Sequence, residues 1–224
     1  MNVLVVVAHP DDEILGVGGS IARHVLRGDR VTVAILGSGI SSRYTSPDQV
    51  DSEKLSRLRD DAWRAMALLG VTDLRLFDLP DNRFDSLDLL DIVKKIENLL
   101  DDTHPETLYT HFHGDLNIDH QVAARAVLTA CRPLAGSSLR RLLAFEVPSA
   151  TGWGFPDQPF TPTVFSNIGE TLELKLAAIA AYHSEIREFP HPRSIEALKA
   201  RALSWGSQSG LTAAEPFMLI RELC

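Results

Sequence analysis

Val3-Leu4-Val5-Val6-Val7-Ala8 is an unbroken apolar run that ends in a knot of His and acid, His9-Pro10-Asp11-Asp12-Glu13. Five branched apolar residues in a row read as a strand buried on both faces, as in a parallel sheet with helices on each side. Pro10 cannot extend a hydrogen-bonded ladder, so the strand stops there and its polar residues collect at the carboxyl edge. In open α/β sheets that edge is where ligands bind. Helical spacing follows in Ile14, Leu15, Ile21, Ala22, Val25 and Leu26, which puts Asp12 or Glu13 at a helix start. There the free N–H groups and the macrodipole favour a carboxylate. The expectation is an α/β fold, a three-layer Rossmann-like sandwich with a mostly parallel sheet and its site at the carboxyl ends of the strands.

A lone Asp before a helix is ordinarily an N-cap. That accounts for one carboxylate, not for three beside a His. A second polar stretch, His111-Phe112-His113-Gly114-Asp115-Leu116-Asn117-Ile118-Asp119-His120, has the same setting, between a strand-like run and helical spacing at Val122, Ala123, Ala126 and Val127. Two such clusters at strand ends would make a mixed His/carboxylate metal site.

The AHPDDE stretch, with a later Asp-His pair opening a helix, resembles the LmbE-like (PIG-L-type) metal-dependent N-acetylglucosaminyl deacetylases. The first motif is complete, the second matches in part, and the tail from Lys175 to Arg193 is also similar. The resemblance implies that His9, Asp12 and His120 hold zinc, that Asp11 is the general base, and that Asp119 belongs to the Asp-His pair. Two imidazoles and one carboxylate also suit Fe(II), so the ligand set leaves the metal open between Zn2+ and Fe2+. The implied reaction removes an N-acetyl group from an amino sugar or sugar conjugate. Two other readings stay open: an amidase for another small N-acyl compound, and a non-catalytic sugar-binding relative. The second motif departs from the family where Asn117 stands in place of a His. Asn can donate a hydrogen bond to an oxyanion but cannot supply a proton. The acid role is then open to Asp11 itself or to His111, His113 or His183, with Asp115 as a residue that could orient such a His.

Composition narrows the class. With 224 residues and 45% hydrophobic content, one domain spanning 1–224 with a sizeable core is expected. A net charge of −8 argues against a nucleic-acid surface. No apolar stretch approaches the ~20 residues of a membrane span, and no signal peptide is expected. Cys131 and Cys224 are the only cysteines and form no metal-type pair, which fits a reducing, cytoplasmic setting. A small-molecule substrate is the expected partner, and a homo-oligomer is left open.

Gly16-Val17-Gly18-Gly19-Ser20 tempts a dinucleotide reading, but the spacing is not GxGxxG and the glycines follow the acids. They read instead as close helix–sheet packing, or as room beside the metal. Val31–Leu36 reads as a second strand, followed by a long polar segment from Gly37 to Asp51 and a helix over 53–69. Arg43 in that segment could anchor a phosphate or hydroxyl of the substrate, or be a solvated loop residue. A third strand over 74–79 delivers Pro80-Asp81-Asn82-Arg83 to the same edge as Asp11. Asp81 resembles the family's substrate-hydroxyl contact and Arg83 could support it, although Asp81 is equally a good turn residue. A helix over 86–100, a strand over 107–110, a helix over 119–131 and a strand over 142–147 follow. The aromatic segment 151–162, with Trp153 and Phe155, could stack on a sugar ring. A short strand over 163–166 and a helix over 170–182 come next, and Ser194 is the expected N-cap of a last helix.

Overall fold

A computed structural model describes residues 1–44, 49–154 and 156–224. Its centre is one seven-stranded sheet. The strands are β1 (Asn2–Val7), β2 (Arg30–Gly37), β3 (Asp73–Leu79), β4 (Thr107–His111), β5 (Arg141–Phe145), β6 (Val164–Asn167) and β7 (Ala214–Glu222), in the order β3-β2-β1-β4-β5-β7-β6. The first five pair in parallel, and β7 runs antiparallel to both β5 and β6. The strand order reverses between β1 and β4, so their carboxyl ends open the crevice in which such sheets bind ligands.

Among the described residues six α-helices cover the sheet: α1 (Asp12–Leu26), α2 (Ser52–Leu68), α3 (Leu89–Thr103), α4 (Ile118–Ala130), α5 (Leu172–Ala180) and α6 (Ile195–Ser209). Alternation along β1 divides the interior into two cores. Val3, Val5 and Val7 pack with residues of α1, α2 and α5, whereas Leu4, Val6 and Ala8 pack with residues of α3 and α4. This is the strand buried on both faces that the opening run requires.

The glycines of α1 serve close packing. A Cβ on Gly16 would meet the Phe145 ring at 2.1 Å, and one on Gly19 would meet Ile168 at 2.8 Å. The same stretch of helix receives a buried charge. Glu215 of β7 accepts from the backbone N–H groups of Gly19 and Ser20 at 2.8 and 2.7 Å. Lys175 donates to Glu215 at 2.6 Å and to the Leu15 carbonyl at 2.9 Å. Both charges are thus paired and hydrogen-bonded, as burial requires.

Most expected elements stand within two residues of their places, with two exceptions. The helix expected from Ser86 starts at Leu89, because Phe84–Ser86 is a 3-10 turn and Leu87 and Asp88 are extended. Strand β7 was not anticipated at all; its Glu215 and Pro216 break an apolar strand pattern. Ser194 caps α6 as expected, its side chain accepting from Ala197 N–H. Among the described residues, no helix is long and apolar enough to cross a membrane.

Candidate active site

His9 lies two residues beyond β1, Asp12 opens α1, and His120 sits in the first turn of α4. Their ligand atoms converge, all within 4.8 Å of one another. Asp12 Oδ2 is 3.4 Å from His9 Nδ1 and 3.2 Å from His120 Nε2. The two remaining ring nitrogens point at other carboxylates. His9 Nε2 is 2.9 Å from Asp119 Oδ2 and 3.2 Å from Asp81 Oδ1, and His120 Nδ1 is 3.3 Å from Asp115 Oδ1. Carboxylates behind imidazoles in this way fix the tautomer that leaves the inner nitrogen free for a metal.

A cation fits this donor set. Asp12, Asp81, Asp115 and Asp119 are all buried. Burial disfavours the charged form of both rings, yet hydrogen bonds to Asp119 and Asp12 push His9 up to about 10. His120 is likewise pushed up to about 9, by Asp12 and by the Asp115 carboxylate 3.3 Å from its Nδ1. The cluster draws positive charge to itself, by protonating its own imidazoles where no metal supplies it. His9 also belongs to a second trio with Asp81 and Asp119. The oxygens of that trio are already engaged. Asp119 accepts from the N–H groups of Asn82 and Phe84 at 2.6 and 2.9 Å, and Asp81 accepts from Ser42 N–H and Oγ at 3.0 and 2.6 Å. Asp12 Oδ2 of the first trio also accepts, from His9 N–H at 2.9 Å, and that trio alone offers two imidazoles with one carboxylate.

Asp11 sits at the helix N-cap with φ 99°, a left-handed conformation rare for a residue with a side chain. Such strain costs about 1–3 kcal/mol and gathers at functional sites. Here it turns Asp11 away from Asp12. Asp12 faces the imidazoles, while Asp11 Oδ2 accepts from Arg193 Nη1 at 2.8 Å. Burial pushes the Asp11 carboxyl well above its usual range, Arg193 pulls it down, and Asp12, Glu185 and Glu13 push it up again. Arg193 is itself held by Glu185 at 3.2 Å and by Ser149 at 2.8 Å. Glu13 accepts from Tyr182 Oη at 2.5 Å and from Asp11 N–H at 3.1 Å.

The other expected residues divide. Asn117 caps α4, its Oδ1 accepting from Asp119 and His120 N–H at 2.8 and 3.4 Å, while its Nδ2 donates to Asn82. Asp81 is buried at the cluster, against His9 and under Ser42. Arg43 turns to Glu185, donating to both carboxylate oxygens at 2.7 and 2.6 Å. Arg83 is exposed. His113 is exposed, with its ring against Phe112 at 4.8 Å. His111 is buried and stacked on His120 at 4.0 Å, and its Nε2 accepts from Ala8 N–H at 2.8 Å. Burial and the neighbouring His120 hold its pKa well below the usual value, so the ring is neutral. His183 is largely exposed, its Nδ1 3.7 Å from Asp61. Trp153 is 56% exposed with its ring edge-on to His191, whereas Phe155 and residues 45–48 lie outside the described residues.

Arg193, Glu185 and Tyr182 were not anticipated as site residues. The only signal was the likeness of the 175–193 tail to the family, which carries no geometry.

The chain is similar to several known proteins. Over 194 residues, 82% of this chain and 83% of the relative, it is 28% identical to a probable N-acetyl-α-D-glucosaminyl L-malate deacetylase 2 of Bacillus cereus. The N,N′-diacetylchitobiose deacetylase of Pyrococcus horikoshii superposes with a TM-score of 0.78 at 19% identity, over 98% of this chain and 83% of that one. The 4-carboxy-2-hydroxymuconate hydratase of Pseudomonas putida gives the same TM-score, at 22% identity, over 100% and 98% of the two chains. At such identities these two likenesses speak to the fold alone. The family described as PIG-L, GlcNAc-PI de-N-acetylase, matches residues 4–131, more than half of the 224, and the chain belongs to that family.

Proposed function

We propose that this protein is a metal-dependent N-deacetylase that hydrolyses the acetamide of an N-acetylated amino sugar or sugar conjugate, with residues 1–224 acting as one domain. The observation that carries this reading is the meeting of His9, Asp12 and His120 beside a buried, strained acid that is not part of the trio. The family membership and the deacetylase named for the Bacillus relative support it. The likeness to a hydratase means that the reaction has to be argued from the site, since one fold serves several chemistries.

His9, Asp12 and His120 would hold the divalent cation, zinc by family resemblance. When bound, such an ion polarises an amide carbonyl and lowers the pKa of water towards about 7. Asp11 is the base that takes a proton from the attacking water. Its raised pKa suits that task, because a base works best when its pKa lies near the working pH. Asp119 and Asp115 keep the two imidazoles in one tautomer and orientation. Asn117, through its cap on α4, sets the position of His120.

Returning the proton to the leaving amine falls to Asp11 as well. The His111 ring is neutral with Nε2 occupied by Ala8 N–H, and His113 and His183 are exposed residues outside the cluster. Asp11 therefore takes a proton from water and gives the same proton to nitrogen.

The test is acetate release from a panel of N-acetyl sugars and conjugates by zinc-loaded protein, with chelation as the control. Chelator-sensitive release from sugars is expected. Equal release from simple non-sugar N-acetyl amines would favour the general amidase. Metal and sugar binding without any cleavage would leave a binding protein.

A further inference from the structure

Strands β1 and β4 part where the site opens. Their pairing ends at Val5 opposite Tyr109, while β1 stays paired with β2 as far as Val7 and β4 with β5 as far as His111. Beyond the parting lies Ala8, fully buried and one residue before His9. Its carbonyl accepts from Gly37 N–H of β2 at 2.8 Å. Its N–H donates to a side chain, His111 Nε2 at the end of β4, also at 2.8 Å. A buried N–H without an acceptor is strongly disfavoured, so this imidazole completes the backbone bonding that the parted strands leave open.

The accepting ring is itself fixed. It is fully buried, stacked on the His120 ring at 4.0 Å and 13°, and tilted against Phe145 at 4.8 Å. A ring nitrogen that accepts carries no proton, so the proton of His111 is on Nδ1. Nδ1 has no hydrogen-bond partner among the described residues. Nε2 is also 3.5 Å from Asp12 Oδ2 and, being unprotonated, has nothing to donate to it. That oxygen is left facing His9 Nδ1 and His120 Nε2, 3.4 and 3.2 Å away. The opposite tautomer would set N–H against the N–H of Ala8 and draw Asp12 Oδ2 away from the trio. One side chain outside the trio thus meets the backbone ahead of His9, the ring of His120 and the edge of Asp12.

We propose that His111 is a positioning residue for the metal trio, setting His9 through its bond to Ala8 N–H and the plane of the His120 ring through stacking. This rests on the metal site of the deacetylase reading and gives His111 a task other than moving a proton. The acceptor nitrogen is the essential part. A phenyl ring in its place keeps the stacking but leaves Ala8 N–H without a partner. Gln carries an acceptor oxygen at the reach of Nε2 and serves Ala8 without a ring.

The test compares His111→Gln, His111→Phe and His111→Leu, all read by cobalt(II), whose visible bands report the geometry of the same nitrogen and oxygen donors. Parent and His111→Gln should bind cobalt(II) within about threefold of each other, below the about 10–100-fold lost when a ligand's supporting partner is removed. His111→Phe and His111→Leu, folded by circular dichroism, should fall in that range and show shifted bands. A residue that only fills space would lower the melting temperature of the variants and leave the cobalt affinity and bands of folded protein unchanged. That outcome overturns the proposal, as does a His111→Gln protein that falls with the other two. If the Phe and Leu variants do not fold, the parent decides by nitrogen-15 NMR. Its His111 ring should be protonated at Nδ1, with a scalar coupling between Ala8 N–H and Nε2, both metal-free and with zinc. A proton on Nε2, or no coupling, overturns the proposal. Acetate release separates the two readings. No release from any sugar, with the cobalt results as expected, removes the deacetylase and keeps the role of His111. Release with unaltered cobalt binding in every variant does the reverse. A parent that binds no cobalt overturns the trio and the proposal together.

Discussion

Arg193 Nη1 donates to Asp11 Oδ2 at 2.8 Å, across 182 residues of sequence. The contact ties the proposed base to a residue just ahead of the last helix, and its charge lowers the Asp11 pKa against the effect of burial. Replacing Arg193 by Gln removes the lowering influence, so the Asp11 pKa rises. A base of higher pKa is ionised only at higher pH, and the acidic limb of the kcat/KM profile should move towards alkaline pH. Arg193→Lys should restore part of the shift. An unmoved limb in Arg193→Gln would mean that Asp11 does not set it.

The metal trio makes a stoichiometric claim. His120→Ala should lose bound metal after dialysis, measured by elemental analysis, while its circular dichroism stays that of the parent. Asp115→Asn should keep the metal but bind it about 10–100-fold more weakly, as losing a carboxylate behind a ligand imidazole does elsewhere. Full metal content with unchanged affinity in His120→Ala would remove it from the ligand set.

Asp11→Asn should retain its metal and lose turnover by about 10²–10⁴-fold. If Asp11 handles both proton transfers, His111→Gln, His113→Gln and His183→Gln should each cost less than about tenfold, or 1.4 kcal/mol of barrier. A folded, metal-loaded His variant that loses more than about a hundredfold, together with the basic limb of the pH profile, would identify that His as the acid instead.

Glu13 provides a stability measurement on metal-free protein. Burial pushes its pKa up to about 7 from the usual 4.5, against the opposing hydrogen bond from Tyr182. The fold therefore binds this proton more tightly than the unfolded chain does. Its contribution is complete below pH 4.5 and is lost as pH rises towards 7, by about 3 kcal/mol in all. His9 and His120 add a loss in the same direction at higher pH. Denaturant titrations of the parent and Glu13→Gln between pH 5 and 8 should diverge, with the parent falling more steeply. Parallel curves would show that Glu13 does not titrate there.

The first five strands, and the two acid-bearing helix starts, were legible because each signal is local. A branched apolar run stopped by Pro10 gives β1, and the helical spacing after Glu13 gives α1. The cluster at the crevice between β1 and β4 follows from strands alternating with helices. Strand β7 was not legible. Glu215 is tolerable in a sheet interior only because Lys175 and two backbone N–H groups of α1 receive it, and no local pattern announces partners 40 and 196 residues away. The same holds for Arg193, whose role depends on a contact with Asp11. Asn117 could be placed at a helix start, but its use as the cap of α4 emerges only from its bonds to Asp119 and His120.

The seat of Glu215 on α1 also bears on how the chain is made. A nascent chain that has emerged only as far as β5 holds all five parallel strands and the α3 and α4 residues that cover Leu4 and Val6, while Val3, Val5 and Val7 still lack α5. Its first helix, with the acids of the site at its tip, still lacks both Glu215, the partner for Gly19 and Ser20, and the Lys175 that pairs with it. Closing that contact spans 196 residues and the insertion of β7 between β5 and β6, a non-local pairing of the kind that folds slowly. The earliest-synthesised part of the site is thus the last to be locked, and a ribosome-bound intermediate would carry AHPDDE on a helix not yet clamped.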